Sequence, residues 1–316
     1  MRIAIVGIGG VGGYFGGRLA NAGEETTFIA RGDHLATIRD QGLRVDSILG
    51  DFVVNPARAT DDPSTIGIVD FVLICVKAWQ VPDVAEQIKP IVGRNTTVVS
   101  LCNGVEAASQ LAASLGESCV VGGLCKIISY KVGPGHIRHA GVNPEITIGE
   151  IGGSESDRVK RLRERLTNAG IKVVVPPDID VAIWDKFLFI ASLSGVGAVT
   201  RANVGVLRSL PESRRMLEGA MHEIHTVARA RNVALPEDTV ERTMAFVDSL
   251  PADGTASMQR DIMNGHRSEL DAQTGAVVRL GVDIGVSTPV NQFIYGALLP
   301  QELQAHGSLS ERTAIH

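Results

Sequence analysis

Aromatic side chains are scarce in this 316-residue chain, only 4% of it, so any core must be built mainly from Ala, Val, Ile and Leu. Cysteine is scarcer still. The four residues Cys75, Cys102, Cys119 and Cys125 form no C-x-x-C pair, which argues against a disulfide framework or a zinc ribbon. Reduced, buried thiols are the simplest account. There is no excess of positive charge, the formal net charge being −5. That speaks against nucleic acid, whose phosphates call for clustered Lys and Arg. The one basic run, RVKRLRER at 158–165, reads as a solvated helix face. No uninterrupted apolar run approaches the roughly 20 residues of a membrane span. The start, MRIAIVGIGG, has the form of a strand and a turn, without the apolar stretch and cleavage site of a signal peptide. A protein soluble in the cytoplasm, with no membrane partner, is expected.

What is present is a βαβ rhythm. Short apolar runs, buried on both faces as in a parallel sheet, are expected as strands at Arg2–Val6, Thr26–Ala30, Phe71–Val76, Thr97–Leu101 and Cys119–Leu124. Helical patterns separate them, which implies a doubly wound α/β sheet of Rossmann type. A hairpin-like stretch follows over 133–149, then a helix at 156–169 and a strand at 172–175. Pro176-Pro177-Asp178 breaks the chain. Beyond it the pattern is all helical, over 179–200, 212–231, 237–249, 255–279 and 288–299. The expected domains are a dinucleotide-binding domain, 1–177, and an all-α domain, 178–316. The final GSLSERTAIH reads as a frayed tail.

Directly after the first strand, Gly7-Ile8-Gly9-Gly10-Val11-Gly12 fits G-x-G-x-x-G and opens a helical stretch. In that setting Gly7 permits the tight turn, Gly9 lets backbone approach a pyrophosphate, and Gly12 lets helix and strand pack closely. The helix N-terminus turns unpaired N–H groups toward the phosphates. The second strand ends Phe28-Ile29-Ala30-Arg31, without the acid that grips the ribose 2′-hydroxyl of NAD. An arginine there can pair with a 2′-phosphate, so Arg31 is read as selecting NADPH. The plainer alternative is a solvent-facing loop arginine. Asp33 is the competing candidate for a ribose contact, but is expected instead to cap a helix beginning near His34.

Ligands of open α/β sheets lie beyond the carboxyl ends of the strands. Lys77 follows Val72–Val76, and Asn103 follows Val98–Cys102. Either alone could be a surface turn residue, but two polar residues at equivalent ends suggest a shared site. In the second half, Trp184-Asp185-Lys186 opens a nearly unbroken apolar helix. A lysine at its mouth would be partly desolvated, which favours proton donation near neutral pH. A snorkelling lysine is the bland alternative. The closely spaced pairs His136/His139 and His222/His225 lack further ligands for a metal set; the first is expected at the surface and the second on a solvated or interface face of an amphipathic helix. Cys102, ending a buried strand with no histidine base in view, is read as packing.

GIGGVGGYFGGRLA, VKAWQ, CNGVE, WDK, and Ser257-Met258-Gln259-x-Asp261-Ile262 leading to Glu269 are together similar to the ketopantoate reductases (2-dehydropantoate 2-reductases), over nearly the whole chain. The resemblance implies NADPH-dependent reduction of a branched 2-oxo acid on the route to pantothenate. It implies that Lys186 is the general acid, with Glu269 positioning the substrate hydroxyl and biasing the lysine. It makes Ser257 a ligand of the substrate carboxylate, Asn103 a contact of the nicotinamide ribose and substrate, and Lys77 a cofactor contact. The turn residues 7–12 and Arg31 become the cofactor grip. Where the family places asparagines in the substrate site, this chain has Ile190, Ser194 and Gly254. Ile190 and Ser194 share a helical face with Lys186. Each lost donor costs about 1–3 kcal/mol toward a polar substrate group, so a related, more apolar 2-oxo acid stands beside ketopantoate. A 3-hydroxyacid dehydrogenase and a non-enzymatic NADPH-sensing regulator are the alternatives. The spacing from Ser257 to Glu269 opposes the first, and the Lys186–Glu269 pair opposes the second. Helical second domains often pair, so a homodimer is the assembly to expect.

Overall fold

The computed structural model describes residues 1–153 and 155–307. The strands are β1 (Arg2–Val6), β2 (Glu25–Ile29), β3 (Leu43–Ser47), β4 (Phe52–Val54), β5 (Arg58–Thr60), β6 (Phe71–Ile74), β7 (Thr97–Ser100), β8 (Val120–Gly133), β9 (His136–Gly149) and β10 (Lys172–Val174). The helices are α1 (Gly10–Asn21), α2 (Gly32–Gln41), α3 (Val81–Gln87), α4 (Ala107–Leu115), α5 (Asp157–Asn168), α6 (Ile179–Thr200), α7 (Val204–Ser209), α8 (Pro211–Ala230), α9 (Thr239–Ser249), α10 (Ser257–Met263), α11 (Thr274–Asp283) and α12 (Pro289–Ala305). Two compact units result. The first comprises Met1–Cys102 and Glu106–Ala182. The second comprises Asn103–Val105 and the described residues from Ile183 onward.

In the first unit the strands form one sheet in the order β4-β3-β9-β8-β7-β6-β1-β2-β5, with β10 beside β9. From β5 to β8 neighbouring strands are parallel. The chain's direction of progress reverses between β1 and β6, which makes a Rossmann-like switch point. The remainder of the sheet is mixed, because β9 returns antiparallel to β8 and parallel to β3. The expected hairpin is therefore much longer than the 133–149 stretch alone. Three short strands, β3, β4 and β5, escaped the sequence reading. Each has at most five residues, too few to establish a period of two.

Helix α1 packs against β1 and β2 and also against β3, β4, β8 and β9. Residues Gly12 to Gly17 are all buried, a run longer than one helical turn, so every face of the helix is covered. This enclosure explains the segment's glycine content better than cofactor contact alone does. His139, expected at the surface, is instead 1% exposed. Its Nδ1 pairs with Ser47 Oγ at 2.9 Å, and its ring lies 4.7 Å from that of Tyr14. A histidine with both ring nitrogens engaged can be buried at little cost.

Glu150 joins the end of β9 to α5, accepting from Arg158 Nε at 2.6 Å and Nη2 at 2.5 Å, and also from Ser156 Oγ. The Arg158 guanidinium holds the Glu150 carboxyl below the ordinary glutamate value of 4.5. A depressed carboxylate stabilises the fold fully above its unfolded value and loses that contribution as pH falls through the folded one. Arg158→Met is thus expected to cost about 1–3 kcal/mol at pH 7. The difference from wild type should shrink below about pH 4, as urea denaturation at the two pH values would report.

In the second unit α8 is the central element, packed against α7, α9, α11 and α12. Its buried residues Leu217, Ala220, Met221, Ile224, Val227 and Ala228 recur at helical spacing on one stripe. The expected helix over 255–279 is two, α10 and α11, with an irregular connection over 264–273. Gly265, with φ +68°, breaks the run. Helix α7 was not anticipated. Helix α6 is long and apolar enough to cross a membrane by length and composition, although no uninterrupted apolar run in it is that long. It is a core helix, with 61% of its apolar window buried inside the protein and Asp180, Asp185 and Lys186 interrupting it. The expected tail beyond Gly307 lies outside the described residues.

Candidate functional site

In the first unit the parallel register sets Val6 level with Ile29 and with Ile74. The segments leaving β1, β2 and β6 therefore start from one edge of the sheet. After β1 comes the glycine turn. Gly7 has φ +89°, a region costly for other residues. A Cβ on Gly12 would lie 2.1 Å from the Gly7 carbonyl oxygen and 2.9 Å from Cys75 Cβ, so helix and turn touch backbone to backbone. A Cβ on Gly9 would meet no atom within 4 Å. Gly9 is exposed, and no side chain caps α1. A turn with an open approach over Gly9 and an uncapped helix start suits a phosphate. Gly10 behaves differently. Its Cβ would strike the Ser129 carbonyl of β8, so its small size serves packing.

Arg31 is exposed, and its Nη2 donates to Gln87 Oε1 on α3 at 2.7 Å. It is also the residue that precedes α2, so Asp33 lies inside the first turn and is not the cap expected of it. An acid there still favours the positive end of the helix dipole. Lys77 is half-buried, three residues past the end of β6 and at the head of a short turn, Ala78–Gln80. Cys102 donates from Sγ to the Val76 carbonyl at 3.1 Å. None of the four cysteines is in a disulfide, and burial pushes the thiols of Cys75 and Cys119 upward toward the neutral form.

The second unit brings together three of the expected residues. Lys186 lies two turns inside α6, not at its mouth, and is half-buried. Its Nζ donates to Asn103 Oδ1 at 2.9 Å. Asn103 Nδ2 donates in turn to Glu269 Oε2 at 3.1 Å. The amide orientation is dictated by its neighbours, since an ammonium only donates and a carboxylate only accepts. Gly104, with φ +102°, lets the chain beside Asn103 come close to the 264–273 connection. A Cβ there would sit 2.9 Å from the Ala272 carbonyl.

Two glutamines to which the sequence assigns no role complete the arrangement. Gln273, fully buried, donates from Nε2 to Glu269 Oε2 at 3.4 Å. Gln259, also buried, donates to the Ala202 carbonyl at 2.8 Å and accepts from the Ala256 N–H, which fixes the start of α10 and hence Ser257. The four-residue spacing from Glu269 to Gln273 was the available signal, and it lies in a polar, irregular stretch where such a spacing says little. Ser257 is half-buried at the first turn of α10. Ile190 is half-buried, whereas Ser194 is 0% exposed with its hydroxyl unpartnered.

Comparison with known proteins places the whole chain. The family model described as ketopantoate reductase PanE/ApbA matches residues 3–153, and its C-terminal counterpart matches 178–302. A 2-dehydropantoate 2-reductase of Halobacterium salinarum is 31% identical over 294 residues, covering 92% of this chain and 95% of that protein. The crystal structure of a PanE/ApbA family ketopantoate reductase from Ralstonia eutropha superposes with a TM-score of 0.89 at 31% identity, covering 97% of this chain and all of that one. A D-mandelate dehydrogenase in ternary complex with NADH and anilino(oxo)acetate has a TM-score of 0.88 and covers 97% of this chain and 100% of that one. Its 22% identity makes this a likeness of fold alone. The chain therefore belongs to the PanE/ApbA ketopantoate reductase family and is an oxidoreductase acting on CH–OH groups.

Proposed function

We propose that the protein uses NADPH to reduce a 2-oxo acid to the 2-hydroxy acid, with ketopantoate as the first candidate and pantothenate synthesis as the setting. The observation that carries this reading is the chain Lys186–Asn103–Glu269, with its two hydrogen bonds of 2.9 and 3.1 Å. Reduced nicotinamide, when bound, supplies the hydride to the keto carbon. Lys186 stabilises the charge growing on the keto oxygen and delivers the proton to it. Asn103 holds the Lys186 ammonium through Oδ1. Glu269 orients Asn103 through the opposite end of the amide and engages the substrate hydroxyl. Ser257 takes the substrate carboxylate, and Lys77 contacts the cofactor. Residues 1–177 form the cofactor domain in this reading, and 178–316 the substrate domain.

Arg31 is the proposed grip on the 2′-phosphate, held ready by Gln87. A hydrogen bond to a charged group contributes about 1.5–3 kcal/mol. Arg31→Ala should therefore reduce the preference for NADPH over NADH by about 10–100-fold. Equal kcat/KM ratios for the two cofactors in wild type and variant would overturn the assignment.

A less polar 2-oxo acid is favoured by one observation. Ile190 offers no hydrogen bond, and the Ser194 hydroxyl is wholly enclosed. The test is NADPH oxidation with ketopantoate against a panel of 2-oxo acids. Ketopantoate as best substrate supports the first reading. A larger kcat/KM for an acid without a distal hydroxyl supports the second. No turnover with any of them, alongside NADPH binding, would overturn both.

A further inference from the structure

We infer that Glu302 is a positioning residue for Glu269, an inference that rests on the role proposed above for Lys186, Asn103 and Glu269. Glu269 sits on the irregular connection between α10 and α11, where its backbone carbonyl accepts the Gln273 N–H at 2.9 Å ahead of α11. It is nevertheless only 4% exposed and must be placed closely enough to meet Asn103 at 3.1 Å. The residues on either side of it are held as well. Ser268 donates its N–H to Glu302 Oε1 and Oε2 at 3.0 and 3.2 Å, and its Oγ to Oε2 at 2.5 Å. The same Oγ accepts the Leu270 N–H at 3.1 Å. One carboxylate thus fixes the residue before Glu269 directly and the residue after it through a shared hydroxyl.

Glu302 is itself 3% exposed, and burying a carboxylate is costly unless its oxygens are satisfied. Beyond the Ser268 bonds, Oε1 lies 2.6 Å from Nε2 of His306, the residue that follows α12. The helix is anchored at its other end. Glu223 of α8 accepts the Val290 and Asn291 N–H groups at 2.7 and 2.9 Å. The Glu302 carboxylate is therefore a fixed point, set by α12 and not by the connection it holds. Nothing else in the proposed chemistry requires a buried acid at that place.

A carboxylate displaced by even 1 Å from its partner can cost about 100-fold in rate. Glu302→Gln keeps the size and one acceptor, and is the milder variant for folding. It is expected to lower kcat by about 10–100-fold, to leave the Kd for NADPH within about twofold, and to shift the pH profile of kcat as Glu269→Gln does. In a double-mutant cycle, Glu302→Gln added to Glu269→Gln should cause little further loss, because both act through one group. Wild-type kcat and pH profile in Glu302→Gln, or full additivity with Glu269→Gln, would overturn the inference. If the wild-type enzyme reduces no 2-oxo acid, the proposed function itself has failed, and hydrogen exchange then decides the clamp alone. Amides of residues 268–273 exchanging at least tenfold faster in Glu302→Gln would sustain it, and unchanged exchange would overturn it.

Discussion

Replacing Lys186 with alanine should leave NADPH bound and stop the reduction. A general acid contributes about 10²–10⁴-fold to rate, so kcat is expected to fall by that order with the cofactor Kd nearly unchanged. Lys186 is half-buried on a helix whose neighbours Trp184, Phe187 and Leu188 are buried, and its truncation removes little of that packing. The variant should therefore melt within a few degrees of wild type. Arginine is the sharper test. It restores the charge beside Asn103 Oδ1 but holds its proton too tightly to deliver it. Lys186→Arg should thus stay at least about 100-fold impaired. Recovery of most activity in that variant would mean that charge, and not proton delivery, is what the site needs.

Gly12→Ala should damage fold and cofactor binding together, whereas Gly9→Ala should damage binding alone. The Cβ added at position 12 would lie 2.1 Å from the Gly7 carbonyl, which is backbone and cannot rotate away. Overpacking of this kind typically costs about 1–3 kcal/mol, and here relief requires moving the glycine turn itself. A Cβ at Gly9 meets open space, so the free protein should melt as wild type does. Where Gly9 faces the pyrophosphate, that methyl group should weaken NADPH by tenfold or more, as RT-scaled losses of about 1.4 kcal/mol imply. Thermal melting and fluorescence titration of NADPH on both variants separate the two effects. A Gly9→Ala protein that binds NADPH as tightly as wild type would remove the turn from the cofactor site.

These two variants mark how differently the parts of the protein could be read. The strand Arg2–Val6 and the glycine pattern after it are local, and each residue's role there depends on neighbours within a few positions. Long apolar helices such as α6 were equally plain from composition. Short strands were not, and β3, β4 and β5 owe their pairing to partners elsewhere in the sheet. His139 was misjudged because its Gly- and Pro-rich surroundings resemble a surface turn. Only the pairing of β9 with β3 sets it beside Ser47. Gln273 and Gln259 carried a weak signal, since a buried amide is identical in sequence to an exposed one.

The sequence by itself determined the class of fold, the dinucleotide turn, the lack of an acid after β2 and the identity of Lys186, Asn103 and Glu269 as candidates. Such features are written in periodicity and in residue type over short spans, where local sterics and hydrogen bonding dominate. Only the tertiary structure decided that those three residues meet, across separations of 83 and 166 positions. It alone turned Glu302 toward Ser268, 34 positions away, and Arg31 toward Gln87, 56 positions away. Contacts at such distances are set by how helices and strands pack, a property of the whole core that no local spacing encodes.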